Sequence, residues 1–391
     1  MLAPETTKHP LSKEEELHWL ALVLVPGLGI RTSNQLIAQF RTPQAIFRAS
    51  PSELEASGLS GSVARTIASG CTFEDAVEQQ QKMLESGTVL VTISDPSYPA
   101  RLREIFDPPV VLFARGRIDL LHSILLGVVG TRRPTAYGIA AAERLSADLA
   151  QAGLAIASGM ARGIDTAAHR AALGVGGDTV AVFGCGVDLV YPAENRKLAA
   201  EIADKGLIVS EFSMGAPAYP QNFPIRNRII SGMSVGVLVV EGAQYSGSAI
   251  TAKTALEQQR EVFAVPGNIM SKMSWGPNLL IKQGAKLVQE WNDVLVELPA
   301  DTRRALIAKA QARLGVMSLE INEETQALPP ELGAASRLLL GKLQPDVPIH
   351  LDQLLATSGT LTSSEVIAAL FELELLGLAR QLPGKNFVKV W

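Results

Sequence analysis

Between residues 110 and 288, short apolar runs recur without polar interruption, and several are followed by a stretch with helical periodicity. The runs are Val110–Ala114, Ile124–Val129, Leu154–Ser158, Thr179–Phe183, Leu207–Ser210, Val235–Val240, Val262–Val265 and Ala285–Val288. An unbroken apolar run suits a strand buried on both faces, whereas a half-exposed strand would alternate. Alanine-rich helical segments lie between several of them: Ala140–Gln151, Asp165–Leu173, Glu194–Lys205 and Ala249–Gln259. Strand and helix in alternation predict an α/β domain on a doubly wound parallel sheet of the extended Rossmann-like kind.

The flanks have a different texture. Residues 13–90 read as short helices, with Leu17, Leu20, Leu22, Val23 and Leu24 forming one apolar face before Pro26-Gly27-Leu28-Gly29 breaks it. Residues 296–328 are polar and charged, as a linker would be. Helical stretches then appear at Ala335–Leu343, Leu351–Ser358 and Ser363–Leu376, followed by alternation around a Pro383-Gly384 turn. Three helices and a hairpin make a winged-helix pattern. The expected organisation is a helical domain over 1–95, the Rossmann-like domain over 96–295, a linker over 296–328 and a winged helix over 329–391.

Charge narrows the function classes. The 391 residues carry 35 Lys and Arg against 39 Asp and Glu, a net charge of −4, so no global field draws the chain to a polyanion. Such binding would have to come from locally clustered arginines. Cys71 and Cys185 stand far apart, which supports neither a disulfide framework nor a zinc site and suits a reducing compartment. The N-terminus lacks the apolar stretch of a signal peptide, and no run approaches roughly 18 apolar residues. A cytoplasmic chain with no membrane span is expected.

In a doubly wound sheet, ligands sit beyond the carboxyl ends of the strands. After Ile124–Val129 comes Gly130-Thr131-Arg132-Arg133, where helix-start amides and arginine forks can both hold phosphate. Ser158 ends the next strand and leads into Gly159-Met160-Ala161-Arg162-Gly163-Ile164-Asp165, followed by a helix bearing His169. Asp165 and His169 share a helix face. They read either as an acid/base pair or as a first-turn cap with a histidine oriented by it, and the cap agrees with the preference for Asp at helix starts. After Leu207–Ser210, a loop leads to Phe223-Pro224-Ile225-Arg226-Asn227-Arg228-Ile229-Ile230-Ser231-Gly232. An aromatic beside two arginines combines a base-stacking platform with phosphate clamps. The alternative makes Phe223 core and the arginines surface ion pairs. After Val235–Val240 come Glu241 and then Ser246-Gly247-Ser248-Ala249-Ile250-Thr251, small donors at a helix start. A nicotinamide fingerprint and a P-loop are both absent, so no cofactor is expected. Four such loops on one sheet edge predict a site for a nucleotide or a nucleic-acid single strand.

The same residues resemble the DprA/Smf (DNA-processing protein A) family of natural transformation. The resemblance spans the chain and is densest in Gly127-Val-Val-Gly-Thr-Arg-Arg133, Ser158–Asp165, Phe223–Gly232, and Val239-Val-Glu-Gly242 with Ser246–Ser248. Thr131 stands where Ser is frequent in the family. The helical start and winged-helix end look like the family's SAM-like and DML1-like accessory domains. The resemblance implies a non-enzymatic protein that binds and protects single-stranded DNA, dimerises through its Rossmann domain and helps load the RecA recombinase. It implies a DNA groove lined by Arg132, Arg133, Ser158, Gly159, Arg162, Phe223, Arg226 and Arg228. With their neighbours, the expected set also includes Gly130, Thr131, Met160, Gly163, Asp165, His169, Pro224, Asn227, Ser231, Glu241, Ser246, Gly247, Ser248 and Thr251.

A second resemblance, to lysine-decarboxylase-like phosphoribohydrolases, supplies an enzyme alternative. Their Pro-Gly-Gly-x-Gly-Thr-x-x-Glu signature laid on Ser246–Thr254 puts Thr254 where the catalytic carboxylate would stand, which weakens that reading. Of the accessory regions, Val25–Ile30 resembles a helix-hairpin-helix turn, with Arg31 as its nearby cation. Residues 330–391 carry five Lys and Arg against six Asp and Glu, so protein contact or a modest DNA role fits better than groove insertion.

Overall fold

The structure, a computed structural model, describes residues 11–306 except 245, and 333–390 except 345–346, 359–360, 376–377 and 383–384. The chain forms two compact units, Met1–Leu314 and Gly315–Trp391. Most of the expected linker, and the Pro383-Gly384 turn, lie outside the described residues.

The first unit opens with six helices: α1 (Lys13–Val23), α2 (Ile30–Phe40), α3 (Pro43–Arg48), α4 (Pro51–Ala56), α5 (Gly61–Ser69) and α6 (Phe73–Ser86). Their starts are written locally. Ser12 and Glu15, and again Ser50 and Glu53, exchange side-chain and backbone hydrogen bonds at the first turns of α1 and α4, satisfying donors that a helix start leaves free.

Nine strands follow: β1 (Val89–Thr92), β2 (Val111–Gly116), β3 (Leu125–Val129), β4 (Ala155–Ser158), β5 (Thr179–Val182), β6 (Leu207–Ser210), β7 (Ser234–Val239), β8 (Glu261–Ala264) and β9 (Lys286–Leu287). Their helices are α7 (Ala100–Arg103), α8 (Ala136–Gln151), α9 (Ile164–Gly174), α10 (Arg196–Lys205), α11 (Asn222–Met233), α12 (Gly247–Glu257), α13 (Trp275–Lys282) and α14 (Trp291–Leu295). The sheet order is β1-β2-β6-β5-β4-β3-β7-β8-β9.

The predicted α/β fold is present, with two differences. The sheet is mixed: β6 to β9 pair in parallel through the centre, but β2 runs antiparallel to β6 and β1 antiparallel to β2. The sheet also begins earlier than expected, because Val89–Thr92, inside the stretch read as helical, is its edge strand. Four residues after a left-handed Gly87 are too few to show a period. The N-terminal helices share one continuous apolar core with residues of β2, β5 and α10, including Phe113, Ala181 and Leu198, so they pack onto this sheet.

Burial on both faces is complete in the central strands β3 to β7. In β3, Leu126 and Val128 join the core under α8 and α9, while Leu125 and Val129 join the core under α11 and α12. Order reverses between β3 and β7: β4, β5 and β6 lie to one side of β3, β7 and β8 to the other. Such a switch opens a crevice between diverging loops.

The second unit holds helices Ala334–Lys342, Leu351–Thr357 and Ser363–Leu375 and strands β10 (Ile349–His350), β11 (Ala379–Leu382) and β12 (Asn386–Lys389) in the antiparallel order β10-β12-β11. It has its own core, centred on Leu339, Leu354, Leu370, Leu373 and Phe387. This is a winged helix.

Candidate nucleic-acid interface

At the switch between β3 and β7, the strand ends frame a half-open cleft of about 640 Å³. Its first wall is the loop from β3 to α8. Thr131 N–H donates to Glu241 O (2.7 Å), and the Glu241 carboxylate accepts from Thr135 N–H (2.9 Å) and Thr135 Oγ1 (2.7 Å). Gly138 leaves room for this, since a Cβ there would lie 2.2 Å from Glu241 Oε2. Glu241 is buried and occupies the anion-attracting start of α8. What the loop offers to the cleft is Gly130, Thr131 and the exposed guanidinium groups of Arg132 and Arg133.

The second loop, β4 to α9, forms part of the floor. Buried Asp165 accepts from the amides of Gly159 (3.0 Å) and Ala161 (3.3 Å), folding the loop back on its own helix. Burial pushes its carboxyl pKa up, and the charge of Arg226 pulls against that. Met160, buried, takes a left-handed φ of 58°, and Gly163 at φ 78° passes so close to Thr131 that a Cβ would lie 2.5 Å from its carbonyl oxygen. Ser158 Oγ donates to Val128 O (2.6 Å).

Helix α11 supplies the third wall. Phe223, Pro224, Arg226 and Asn227 line the cleft. Arg226 lies flat against Gly159, where a Cβ would sit 1.7 Å from Nη1, and donates to Val182 O (2.8 Å). Burial lowers its pKa to about 10, against the favourable charge of Asp165. Arg132 Cζ stands 5.2 Å from the Phe223 ring centre and Arg226 Cζ 6.0 Å, so two cations face one aromatic. The last wall is the start of α12, with Ser246, Gly247, Ser248 and Thr251 on the lining. Ser246 makes no capping bond to the helix, and its hydroxyl pairs with that of Ser248 (2.7 Å). The cleft therefore gathers two exposed guanidinium groups, an aromatic, and a helix start without a side-chain cap.

The family model described as DNA recombination-mediator protein A matches residues 89–299, and the DprA winged helix domain matches residues 323–385. The chain belongs to the DprA/Smf family. It is 34% identical to Protein Smf of Synechocystis over 401 residues, covering 96% of this chain and 99% of that one. It is 45% identical to DNA processing protein DprA of Bacillus subtilis over 216 residues, 55% of this chain and 73% of that one. The X-ray structure of DprA from Streptococcus pneumoniae superposes with a TM-score of 0.63 at 34% identity, covering 74% of this chain and 99% of that one.

In this DprA-family chain the structure corrects several expected contacts. Arg228, predicted to clamp phosphate, points away from the cleft into a buried pairing with Glu211 and a longer contact to Asp107 (3.5 Å). Ser231 is fully buried and bonds the carbonyls of Asn227 and Arg228 within its helix. On a helix only one side can face a cleft, so a contiguous motif splits between site and core. Ser158, Met160 and Glu241 are likewise buried supports, and Gly163 shapes the loop behind the lining. Gly159 serves as the seat of Arg226.

His169 neither pairs with Asp165 nor reaches the cleft. Its Nδ1 bonds Thr179 Oγ1 (2.7 Å), and burial lowers its pKa to about 3, so both the relay and the oriented-histidine readings fail. Arg162 is exposed but held by Glu194 (2.7 Å). Arg31, beside the N-terminal turn, stacks on Phe106 with Cζ 4.1 Å from the ring centre. The loop reading missed Tyr191, Ile250 and Met273, which also line the cleft. Tyr191 stands in the stretch after Thr179–Phe183, and no motif there marks a stacking residue.

Proposed function

We propose that the cleft binds single-stranded DNA without catalysing its breakage, and that the protein delivers the strand to the RecA recombinase. The observation carrying this reading is the convergence of Arg132 and Arg133, the aromatic pair Tyr191 and Phe223, and the start of α12 on one half-open cleft. Guanidinium groups neutralise phosphates, aromatic faces accept any base, and an open-sided groove lets a strand pass through. A fluorescence titration of oligo-dT at several salt concentrations tests it. Arg132→Ala with Arg133→Ala should weaken binding and flatten the salt dependence by about 0.7 in log–log slope for each phosphate no longer neutralised. Unchanged binding would overturn the site.

The hydrolase alternative fits poorly. Thr254, aligned with the catalytic carboxylate, lines a separate groove beside Arg228 and Arg260. Asp165, the one carboxylate among the described lining residues, is occupied by two backbone amides. Incubation with nucleoside monophosphates should release no base. Delivery to a recombinase, and dimerisation through the Rossmann domain, rest on the family membership. The first should appear as faster RecA filament growth on DNA coated with single-strand binding protein, the second as a dimer mass in sedimentation.

A further inference from the structure

We infer that Tyr191 is the surface on which a base of the bound strand stacks, with Phe223 as the prop that sets its tilt. This rests on the cleft being the DNA site. Sequence reasoning gave the stacking role to Phe223, but that ring is hemmed in. Arg132 and Arg226 stand over it, and the Gly184 backbone lies so close that a Cβ there would be 3.0 Å from Phe223 Cδ1.

Tyr191 is the other aromatic among the described residues lining the cleft. It is 48% exposed, with its ring centre 5.4 Å from that of Phe223 and the planes 35° apart. An exposed ring braced on one side by another aromatic leaves area for a base, whose π-face it can take regardless of sequence.

The loop holding Tyr191 is fixed before any ligand arrives. Cys185 Sγ donates to Leu189 O (3.1 Å) on one side of it. On the other, buried Asn195 donates from Nδ2 to Met160 O (2.9 Å) and to Thr166 Oγ1 (2.9 Å), tying the loop to the β4–α9 loop. Such bracing removes ordering cost from binding. Arg132 Cζ stands 5.2 Å from the centre of the Phe223 ring on which Tyr191 leans, so a cation lies close to the aromatic pair.

The test uses the full chain, a fluorescein-labelled dT oligomer and a salt series. Tyr191→Ala should weaken binding about 5- to 150-fold. Its log–log salt line should run parallel to that of the unmodified protein, because the same phosphates stay neutralised. Tyr191→Phe should bind within about twofold of the unmodified protein. Tyr191→Leu, which keeps apolar bulk but has no π-face, should lose affinity like Tyr191→Ala and serves if the latter misfolds. A 2-aminopurine base in the oligomer should be quenched on binding by the unmodified protein and less by Tyr191→Leu. If Arg132→Ala weakens binding while Tyr191→Ala and Tyr191→Leu do not, the stacking role is overturned and the cleft stands. If Tyr191→Phe loses as much as Tyr191→Ala, the hydroxyl acts rather than the ring, and the inference also falls. If no variant changes affinity, the cleft reading itself is wrong.

Discussion

Arg132 and Arg228 carry the same charge in neighbouring motifs and have opposite surroundings. Arg228 and Glu211 are both more than nine-tenths buried, and burial pushes the Glu211 carboxyl up to about 7. Arg228→Ala would strand that acid, so urea unfolding should show a loss of about 3–5 kcal/mol. Arg132→Ala should cost less than about 0.5 kcal/mol of stability and act on DNA affinity instead. Gly159→Ala would drive a methyl into the Arg226 guanidinium and should lower both stability and DNA affinity. Gly174→Ala, at the end of α9 with nothing within 4 Å of the new methyl, is its control and should keep or slightly raise stability while leaving DNA affinity unchanged. His169 offers a pH test. Its folded pKa of about 3 lies below the ordinary 6.5, so between those values the unfolded chain binds the extra proton. Its contribution is therefore complete above pH 6.5 and is lost as pH falls toward 3. Unfolding free energies measured from pH 7.5 down to 5 should fall more steeply for the unmodified protein than for His169→Gln; parallel curves would show that His169 is not the group responsible.

Elements divide the work differently. Helices α8 and α12 both begin at the cleft, but Glu241 fills the start of α8, while α12 has no side-chain cap. A phosphate at a helix start is thus expected at α12, with α8 contributing only the arginines ahead of it. Removing the Glu241 carboxylate leaves Thr135 donors unpaired, so Glu241→Ala should cost about 1–3 kcal/mol. It should also weaken oligo-dT binding by loosening the loop that carries Arg132 and Arg133. Tighter binding would mean that the negative charge of Glu241, rather than its cap, dominates. Helix α11 has a side for the cleft and a side for the core, which is why its polar motif divides between cleft lining and folding.

At the scale of the whole molecule, the cleft and every residue assigned to it belong to the first unit, whose apolar cores are separate from the winged-helix core. A chain ending at Leu314 should therefore fold, unfold cooperatively, and bind oligo-dT with the salt slope of the full chain. A much weaker or flatter response would assign DNA contacts to the winged helix. With a net charge of −4, no global field adds to the cleft arginines, so oligo-dT affinity should fall with salt at a log–log slope of only about 0.7 for each phosphate they neutralise.

Every strand of the Rossmann sheet except β1 was legible in the sequence. Strands β2 to β8 were so because strands buried on both faces over most of their length are apolar there, which is a local signature. The exposed Lys286–Leu287 was legible only because apolar Ala285 and Val288 flank it. The positions of the site loops followed, since doubly wound sheets bind ligands at strand ends. The antiparallel edge was not legible: Val111–Gly116 reads the same whichever way it enters the sheet. Nor could the sequence say which motif arginines reach solvent. Arg226 meets Gly159, Arg228 meets Glu211, and Tyr191 leans on Phe223 across sequence separations that only the folded chain closes. Residue type and period set the sheet and its loops, while burial and the partner each charge finds were decided by tertiary packing, because desolvation and pairing depend on neighbours far along the chain.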